Sequence, residues 1–183
     1  MDQKISGTGG FMNPDAIVMT FGITPGMKIA DFGCGTGYFT ILAAQKTGEG
    51  GLVTALDILD SSLSSVKTKA DNAGLRNIET VKANLEVLGS SGLGDKSQDL
   101  VLIANVLFQS EKKQEVFQEA KRVLKDGGGL IVIDWKPSVG GLGPPDDLKT
   151  DPNKMKSLAE GVGFSFVQNI DAGDFHYGIK FIL

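Results

Sequence analysis

Short apolar runs recur along the chain and are separated by stretches with helical periodicity. Five of these runs predict β-strands: Met27–Phe32, Leu52–Leu56, Ile78–Ala83, Leu100–Ala104 and Leu130–Trp135. The run Leu100–Ala104 is apolar at every position, which is typical of a strand covered on both faces. The pattern therefore predicts a mostly parallel sheet.

Amphipathic stretches between these runs predict helices. Asn13 is the expected N-cap and Pro14 the first residue of a helix whose apolar stripe contains Ile17, Val18 and Phe21. The remaining predicted helices span Thr40–Lys46, Asp60–Asn72, Glu115–Leu124 and Met155–Glu160. Such an alternation of strands and helices favours a three-layer α/β/α fold.

The C-terminal part of the chain breaks this alternation. Phe164–Ile170 and Phe175–Leu183 predict two strands joined by the short turn Asp171–Asp174. Because so short a connection permits only antiparallel pairing, the sheet is expected to close with an antiparallel hairpin. All of these elements fit one domain over residues 1–183.

The segment Pro137–Pro152 carries three glycines and two further prolines and is too broken for a regular element. Long loops in compact domains are often functional, so we predict that this segment covers a binding site.

Composition narrows the class of protein. The 18 basic and 22 acidic residues leave a net charge of −4. The sequence lacks the basic stripe that is typical of nucleic-acid-binding proteins, so a nucleic-acid partner is not expected. The single cysteine excludes an intrachain disulfide and a cysteine-rich metal site, and no metal site is predicted. No apolar run is long enough to span a membrane. A soluble protein of a reducing compartment, the cytoplasm, is the simplest interpretation.

Three glycines at alternate positions, Gly33, Gly35 and Gly37, follow the first predicted strand and precede a helix. A turn without Cβ atoms lets a ligand lie on the backbone beside the positive end of the helix. The dinucleotide fingerprint Gly-x-Gly-x-x-Gly would need glycine where Tyr38 stands. A nicotinamide cofactor, and with it an oxidoreductase, is therefore disfavoured.

Asp57 supplies the second half of this signal. It ends the second predicted strand, twenty positions after Gly37, and so belongs at the same edge of the sheet. A carboxylate there can accept hydrogen bonds from two ribose hydroxyls. The glycine turn and Asp57 together predict a ligand that contains adenosine.

In these segments the sequence resembles class I S-adenosylmethionine-dependent methyltransferases. The first motif of that family is similar to Asp31–Gly37, and its ribose-binding segment is similar to Ala55–Asp57. Its fourth-strand motif resembles Asp99–Phe108, and its turn into strand five resembles Arg122–Asp134. The branch that includes quinone and sterol C-methyltransferases looks most similar. The resemblance implies a Rossmann-like sheet of seven strands, the last antiparallel, with S-adenosylmethionine as cofactor.

The resemblance also implies roles for individual residues. An acid at the position of Asp31 is expected to hold the amino group of the cofactor. Asn84 stands where many members of the family carry an aspartate that faces the adenine amine, and Leu85 is expected to pack on the adenine. The residues expected to bind the cofactor are Asp31, Gly33, Cys34, Gly35, Gly37, Asp57, Ile58, Asn84, Leu85 and Asn105. The expected wall of the acceptor pocket consists of Tyr38, Asn105, Phe108 and Trp135.

The predicted function is direct methyl transfer to a small-molecule acceptor. A sulfonium donor is already activated, so the protein must chiefly align the acceptor and exclude water. His176 is the one candidate proton acceptor, although a lone histidine on a strand is more often structural. A non-catalytic S-adenosylmethionine-binding regulator and a methyltransferase acting on protein or RNA are the alternatives. The acceptor, the methylated atom and the oligomeric state are left open.

Overall fold

A computed structural model describes residues 12–137 and 143–183. The strands are β1 (Lys28–Phe32), β2 (Leu52–Asp57), β3 (Ile78–Lys82), β4 (Gln98–Ala104), β5 (Leu124–Trp135), β6 (Ser165–Asp171) and β7 (His176–Ile182). The helices are α1 (Pro14–Val18), α2 (Tyr38–Thr47), α3 (Asp60–Asn72), α4 (Lys113–Val123) and α5 (Pro152–Val162), with a 3-10 helix at Leu107–Gln109.

The seven strands of the described residues form one sheet in the order β3-β2-β1-β4-β5-β7-β6. Strands β1 to β5 pair in parallel, whereas β7 is antiparallel to both β5 and β6. The predicted seven-stranded, mostly parallel sheet with an antiparallel C-terminal hairpin is therefore confirmed. The strand order reverses between β1 and β4, and ligands of such sheets bind at this switch point.

The two faces of the sheet bury separate apolar clusters. Along β5, Leu130 and Val132 belong to the cluster that packs against α4 and α5. Ile131 and Ile133 belong to the cluster that packs against α1 and α2. Because successive residues of a strand point to opposite faces, a continuously apolar strand fills both clusters. This is the physical reason for the three layers.

Strand β5 begins six residues before the predicted Leu130. The run Gly127–Gly129 was expected to be a turn, but it pairs with the end of the chain. The Gly127 N–H donates to the carbonyl of Leu183 at 3.1 Å, and the Leu183 N–H donates to the carbonyl of Gly128 at 3.0 Å. The long-range pairing thus extends the strand through residues with a low intrinsic preference for it.

Helix boundaries follow the capping residues. The Asn13 side chain accepts a hydrogen bond from the Ala16 N–H, which confirms the expected N-cap. Helix α5 is longer than the predicted Met155–Glu160 because Asp151 caps it, accepting from Asn153 N–H at 2.8 Å. The 3-10 helix after β4 was not predicted.

Part of the predicted loop Pro137–Pro152 lies outside the described residues, namely 138–142. Within the described part, Gly143 packs on the ring of Trp135, since a Cβ there would lie 2.5 Å from that ring. The loop ends where α5 begins at Pro152. The expectation that the segment covers a site stays a prediction.

Candidate active site

The carboxyl ends of β1, β2 and β4 and the segment after β3 surround a cleft of about 730 Å³. Nine of the ten residues predicted to bind the cofactor line it, together with Tyr38: Asp31, Gly33, Cys34, Gly35, Asp57, Ile58, Asn84, Leu85 and Asn105. Residues from four separate parts of the sequence therefore meet at the expected edge of the sheet.

Asp57 is held in place by the backbone around it. One carboxylate oxygen accepts from the Gly35 N–H at 2.9 Å, and the other accepts from the Leu59 N–H at 2.9 Å. A carboxylate offers about four acceptor positions, so each oxygen retains capacity for a ligand hydroxyl. The bond to Gly35 also ties the end of β2 to the glycine turn after β1.

The three alternate glycines occupy different surroundings. A Cβ on Gly33 would lie 2.3 Å from Val106, and one on Gly37 would lie 2.8 Å from Val66 of α3. A Cβ on Gly35 would meet nothing within 4 Å. Gly35 therefore presents bare backbone to the cleft, whereas Gly37 lines a neighbouring pocket of about 450 Å³ rather than the cleft.

Asp31 is the buried acid of the cleft. Its side chain is 3% exposed and accepts a hydrogen bond from the Thr40 hydroxyl at 2.5 Å. Burial raises the pKa of Asp31 to about 6, against the opposing effect of the Thr40 bond and with a contribution from the charge of Asp57. A cationic group in the cleft would favour the ionised form of this acid.

Asn105 has a left-handed backbone, with φ of 58°, directly after β4. Its side-chain oxygen is buried and has no hydrogen-bond partner among the described residues. Asparagine tolerates this conformation better than most residues. An unsatisfied acceptor on the cleft wall fits a ligand that brings an N–H or O–H donor.

Glu86 and Ser110 line the cleft but were not predicted. The Ser110 hydroxyl donates to Glu86 at 2.7 Å, and the Glu111 N–H donates to the same oxygen at 3.1 Å. The Ser110 bond chiefly lowers the pKa of Glu86 below its ordinary value. Ser110 follows the 3-10 helix, which has no sequence periodicity that could have indicated it.

Besides Gly37, three predicted residues are not among those that line the cleft: Phe108, Trp135 and His176. His176 borders a separate cavity of about 260 Å³, and its ring lies 4.0 Å from that of Trp135. Burial, together with the charge of Lys136, lowers the pKa of His176 to about 4. Its imidazole is therefore neutral near pH 7 but lies outside the cleft.

Cys34 is buried in the glycine turn, and burial raises the pKa of its thiol, which therefore stays protonated. Among the described residues no group of His, Cys, Asp and Glu side chains could hold a metal ion.

The sequence profile of a family described as methyltransferase domain matches residues 23–169. The chain belongs to this methyltransferase family. The match confirms the resemblance inferred from the glycine turn and Asp57. In the part of the chain that the structure describes, no helix is long and apolar enough to cross a membrane.

Two curated relatives illustrate the similarity. Arsenite methyltransferase of Halobacterium salinarum is 30% identical over 153 residues, which are 83% of this chain and 37% of that protein. The ubiquinone/menaquinone biosynthesis C-methyltransferase UbiE of a Shewanella species is 36% identical over 115 residues, 62% of this chain and 45% of that protein. The matched segments thus cover less than half of each of these relatives.

Solved structures show the same fold. A SAM-dependent methyltransferase of Aquifex aeolicus superposes with a TM-score of 0.85 at 24% identity, covering 94% of this chain and 90% of that one. An arsenic(III) S-adenosylmethionine methyltransferase of Chlamydomonas reinhardtii gives a TM-score of 0.70 at 25% identity, covering 88% and 64%. The predicted Rossmann-like fold is therefore confirmed.

Proposed function

We propose that this methyltransferase binds S-adenosylmethionine in the cleft and transfers its methyl group to a small molecule. The observation that carries the proposal is the junction of Asp57 with Gly35. There an oriented carboxylate stands beside backbone that no side chain covers. This arrangement suits a ribose on the acid and an adjoining chain on the turn.

The residues of the cleft fit the parts of that cofactor. Asp57 would take the ribose hydroxyls, and the exposed side chain of Ile58 together with Leu85 would flank the adenine. Asp31 and the unpartnered oxygen of Asn105 would take the amino group. We infer that the ammonium then satisfies two groups whose burial is otherwise unfavourable.

When bound, the sulfonium supplies an activated methyl group. The protein residues hold it, orient it and keep water from it. Cys34 and Asp31 form the buried floor of the cleft, while Tyr38 and Gln109 stand on its walls. The acceptor then needs only to be aligned with the methyl group, so a proton acceptor at the cleft is not required for every acceptor chemistry.

We propose a small-molecule acceptor, a single domain over residues 1–183 and a cytoplasmic location. The net charge of −4 disfavours a nucleic-acid substrate. One curated relative is named for arsenite and the other for ubiquinone/menaquinone biosynthesis, and both chemistries belong in an acceptor panel.

Calorimetry with S-adenosylmethionine, S-adenosylhomocysteine and NAD tests the cofactor. We expect binding of the first two and none of NAD. Asp57→Ala should cost about 2–4 kcal/mol of cofactor affinity, whereas Asp126→Ala, an exposed acid paired with Lys96, should cost nothing. A preference for NAD, or unchanged affinity in the Asp57 variant, contradicts the proposal.

Radiolabelled methyl transfer tests the activity. Arsenite and naphthalene-1,4-diol, kept reduced, serve as acceptors with the wild-type protein and the Asp57 variant. Transfer that depends on Asp57 supports the enzyme. Cofactor binding with no transfer to any acceptor of a wider panel would favour a regulatory module instead.

A further inference from the structure

Asp134 and Tyr177 are polar residues of the core that the cofactor cleft does not use. They face each other in register on the antiparallel strands β5 and β7. Asp134 is 1% exposed and Tyr177 is 6% exposed. One carboxylate oxygen of Asp134 and the phenol oxygen of Tyr177 have no hydrogen-bond partner among the described residues.

The two side chains lie on the same face of the sheet, because directly paired residues of antiparallel strands project to the same side. Tyr177 packs in the cluster that holds Phe117 of α4 and Met155 of α5, so this is the α4 and α5 face. Both oxygens are therefore enclosed between the sheet and two helices, where an unmade hydrogen bond is costly.

The pair adjoins the wall of the cofactor cleft. Strand β5 is the neighbour of β4, and the N–H of Asn105 donates to the carbonyl of Ile133 at 2.9 Å. The Phe108 N–H lies near enough to Asp134 to lower its pKa. The segment that carries Val106 and Gln109 on the cleft wall thus lies beside Asp134.

The chemistry of the pair is complementary to a group that both donates and accepts. A carboxylate accepts hydrogen bonds only, and a phenol donates one. A ligand hydroxyl placed between them satisfies both through a single atom, since it donates to the first and accepts from the second. An ether oxygen satisfies only the phenol, because it cannot donate.

We propose that Asp134 and Tyr177 recognise a hydroxyl group of the methyl acceptor, which places the acceptor beside the cleft at the carboxyl edge of β4 and β5. The proposal rests on the proposed function, because it concerns the second substrate of the same reaction. It concerns binding and positioning and includes no proton transfer.

The surrounding charges agree with these roles. Burial raises the pKa of Asp134 to about 6, against hydrogen bonds from Trp135 and Phe108 and the charge of Lys113 on α4. Burial and the charges of Asp134 and Asp151 raise the pKa of Tyr177, so its phenol remains a donor. Asp134 therefore accepts as a carboxylate above about pH 6, and hydroxyl binding weakens as the pH falls through that value.

Access to the pair requires movement, because both oxygens are covered. Asp151, at the start of α5, lies near enough to Tyr177 to influence its pKa. Lys149 and Thr150 before it are buried. We expect the acceptor to enter where this segment, 149–151, is displaced from the edge of the sheet.

Calorimetry with naphthalene-1,4-diol tests the proposal, using the whole 183-residue chain saturated with S-adenosylhomocysteine. The matched ligand 1,4-dimethoxynaphthalene has no hydroxyl. The variants are Asp134→Asn and Tyr177→Phe, which keep the shape of each side chain, and the control is Asp126→Asn on the exposed surface. Thermal unfolding accompanies each titration and shows whether a variant is folded.

We expect each of the two variants to weaken binding of the diol tenfold or more, with unchanged binding of S-adenosylhomocysteine. The dimethyl ether should bind all proteins weakly and alike. The affinity of the wild type for the diol should fall between pH 7 and pH 5, and that of the Asp134 variant should not.

Equal diol affinity in wild type and both folded variants would overturn the proposal. So would binding of S-adenosylhomocysteine by the wild type without any binding of the diol. A loss of thermal stability in both variants with unchanged diol affinity would assign the pair a structural role. Failure of the wild type to bind S-adenosylhomocysteine would instead contradict the proposed function. A separate titration with S-adenosylhomocysteine alone measures that binding.

Discussion

At the scale of single residues, the three glycines of the turn after β1 have different structural roles. Gly33 and Gly37 are pressed against Val106 and Val66, so they serve packing. Gly35 faces open space and donates its N–H to Asp57. All three have positive φ, which a side chain disfavours, but only one of them lacks a neighbour to clash with.

Alanine substitutions should separate these roles. Gly35→Ala places a methyl group in the cleft, so we expect cofactor affinity to fall at least tenfold while stability falls by about 1–2 kcal/mol from the left-handed backbone. Gly37→Ala adds a clash with α3 and should destabilise the fold more. Calorimetry and thermal unfolding measure the two effects. Wild-type cofactor affinity in Gly35→Ala would show that the ligand does not lie on this backbone.

The buried acids predict a pH dependence of stability. Asp31 and Asp134 have pKa values of about 6 when folded, against the ordinary aspartate value of 3.8. Between these values the folded state holds protons that the unfolded state has lost, so stability falls as the pH rises from about 4 to about 6. Above about pH 6 both acids are ionised, and the full cost of burying the two charges is present.

Urea unfolding of Asp134→Asn across this window tests the sign. We expect a shallower fall in the free energy of unfolding than in the wild type, because one of the two groups no longer titrates. The control Asp126→Asn should keep the wild-type slope. Glu119, whose pKa is lowered to about 2 from its ordinary 4.5, loses its contribution as the pH falls below about 5, but it is present in all three proteins and cancels from the comparison. Equal slopes in the wild type and Asp134→Asn would contradict the prediction.

At the scale of elements, one buried acid fastens a loop to a helix. Glu119 of α4 is fully buried and accepts from the Gly89 N–H at 2.7 Å and from both the N–H and the hydroxyl of Ser91. Arg122, one turn later, binds Glu119 at 2.7 Å and donates to the carbonyl of Leu93 at 2.8 Å. The loop between β3 and β4 therefore depends on α4 for its shape.

Removal of this acid should be costly. Glu119→Ala leaves the partly buried Arg122 without its main partner, and we expect a loss of about 3–5 kcal/mol in the free energy of unfolding. Lys82→Ala, which breaks an exposed pair with Asp60, is the comparison and should cost under about 1 kcal/mol. Urea unfolding measures both. Equal losses in the two variants would show that the buried Glu119 network stabilises the fold no more than an exposed ion pair does.

At the scale of the whole molecule, the strand order decides where the site lies. Because β1 and β4 are neighbours while their connections leave in opposite directions, a crevice opens between them at the carboxyl edge. The cleft there is lined by residues from the ends of β1, β2 and β4 and by the segment that follows β3. A ligand in the cleft therefore contacts residues associated with four of the parallel strands.

Ligand binding should therefore stabilise the whole fold. At a concentration one hundred times its Kd, S-adenosylhomocysteine should add about 2.7 kcal/mol, which corresponds to a rise in Tm of roughly 5–11 °C for a chain of this size. Thermal scanning checks the shift. The same concentration of NAD should produce none, and Asp57→Ala should reduce the response to S-adenosylhomocysteine to under about 1 kcal/mol. An undiminished shift in that variant would place the ligand elsewhere.

The local sequence pattern determined most of the secondary structure and the position of the cofactor cleft. The periodicity of apolar residues predicted the strands and helices, because a face that is buried must repeat with the period of its element. The spacing of Gly33 and Gly35 and the position of Asp57 after the second strand predicted the cofactor cleft. These residues follow strands directly, so the order of the chain alone places them at one edge of the sheet.

Tertiary structure decided the features that depend on distant pairing. Gly127–Gly129 extends β5 because the C-terminal Leu183 pairs with it, and no local signal indicates that partner. Gly37 faces α3, and His176 lies against Trp135 outside the cleft. Asp134 meets Tyr177 only through the register of β5 and β7. A shift of one residue in that register would turn one side chain to the opposite face, so their juxtaposition exists only in the folded sheet.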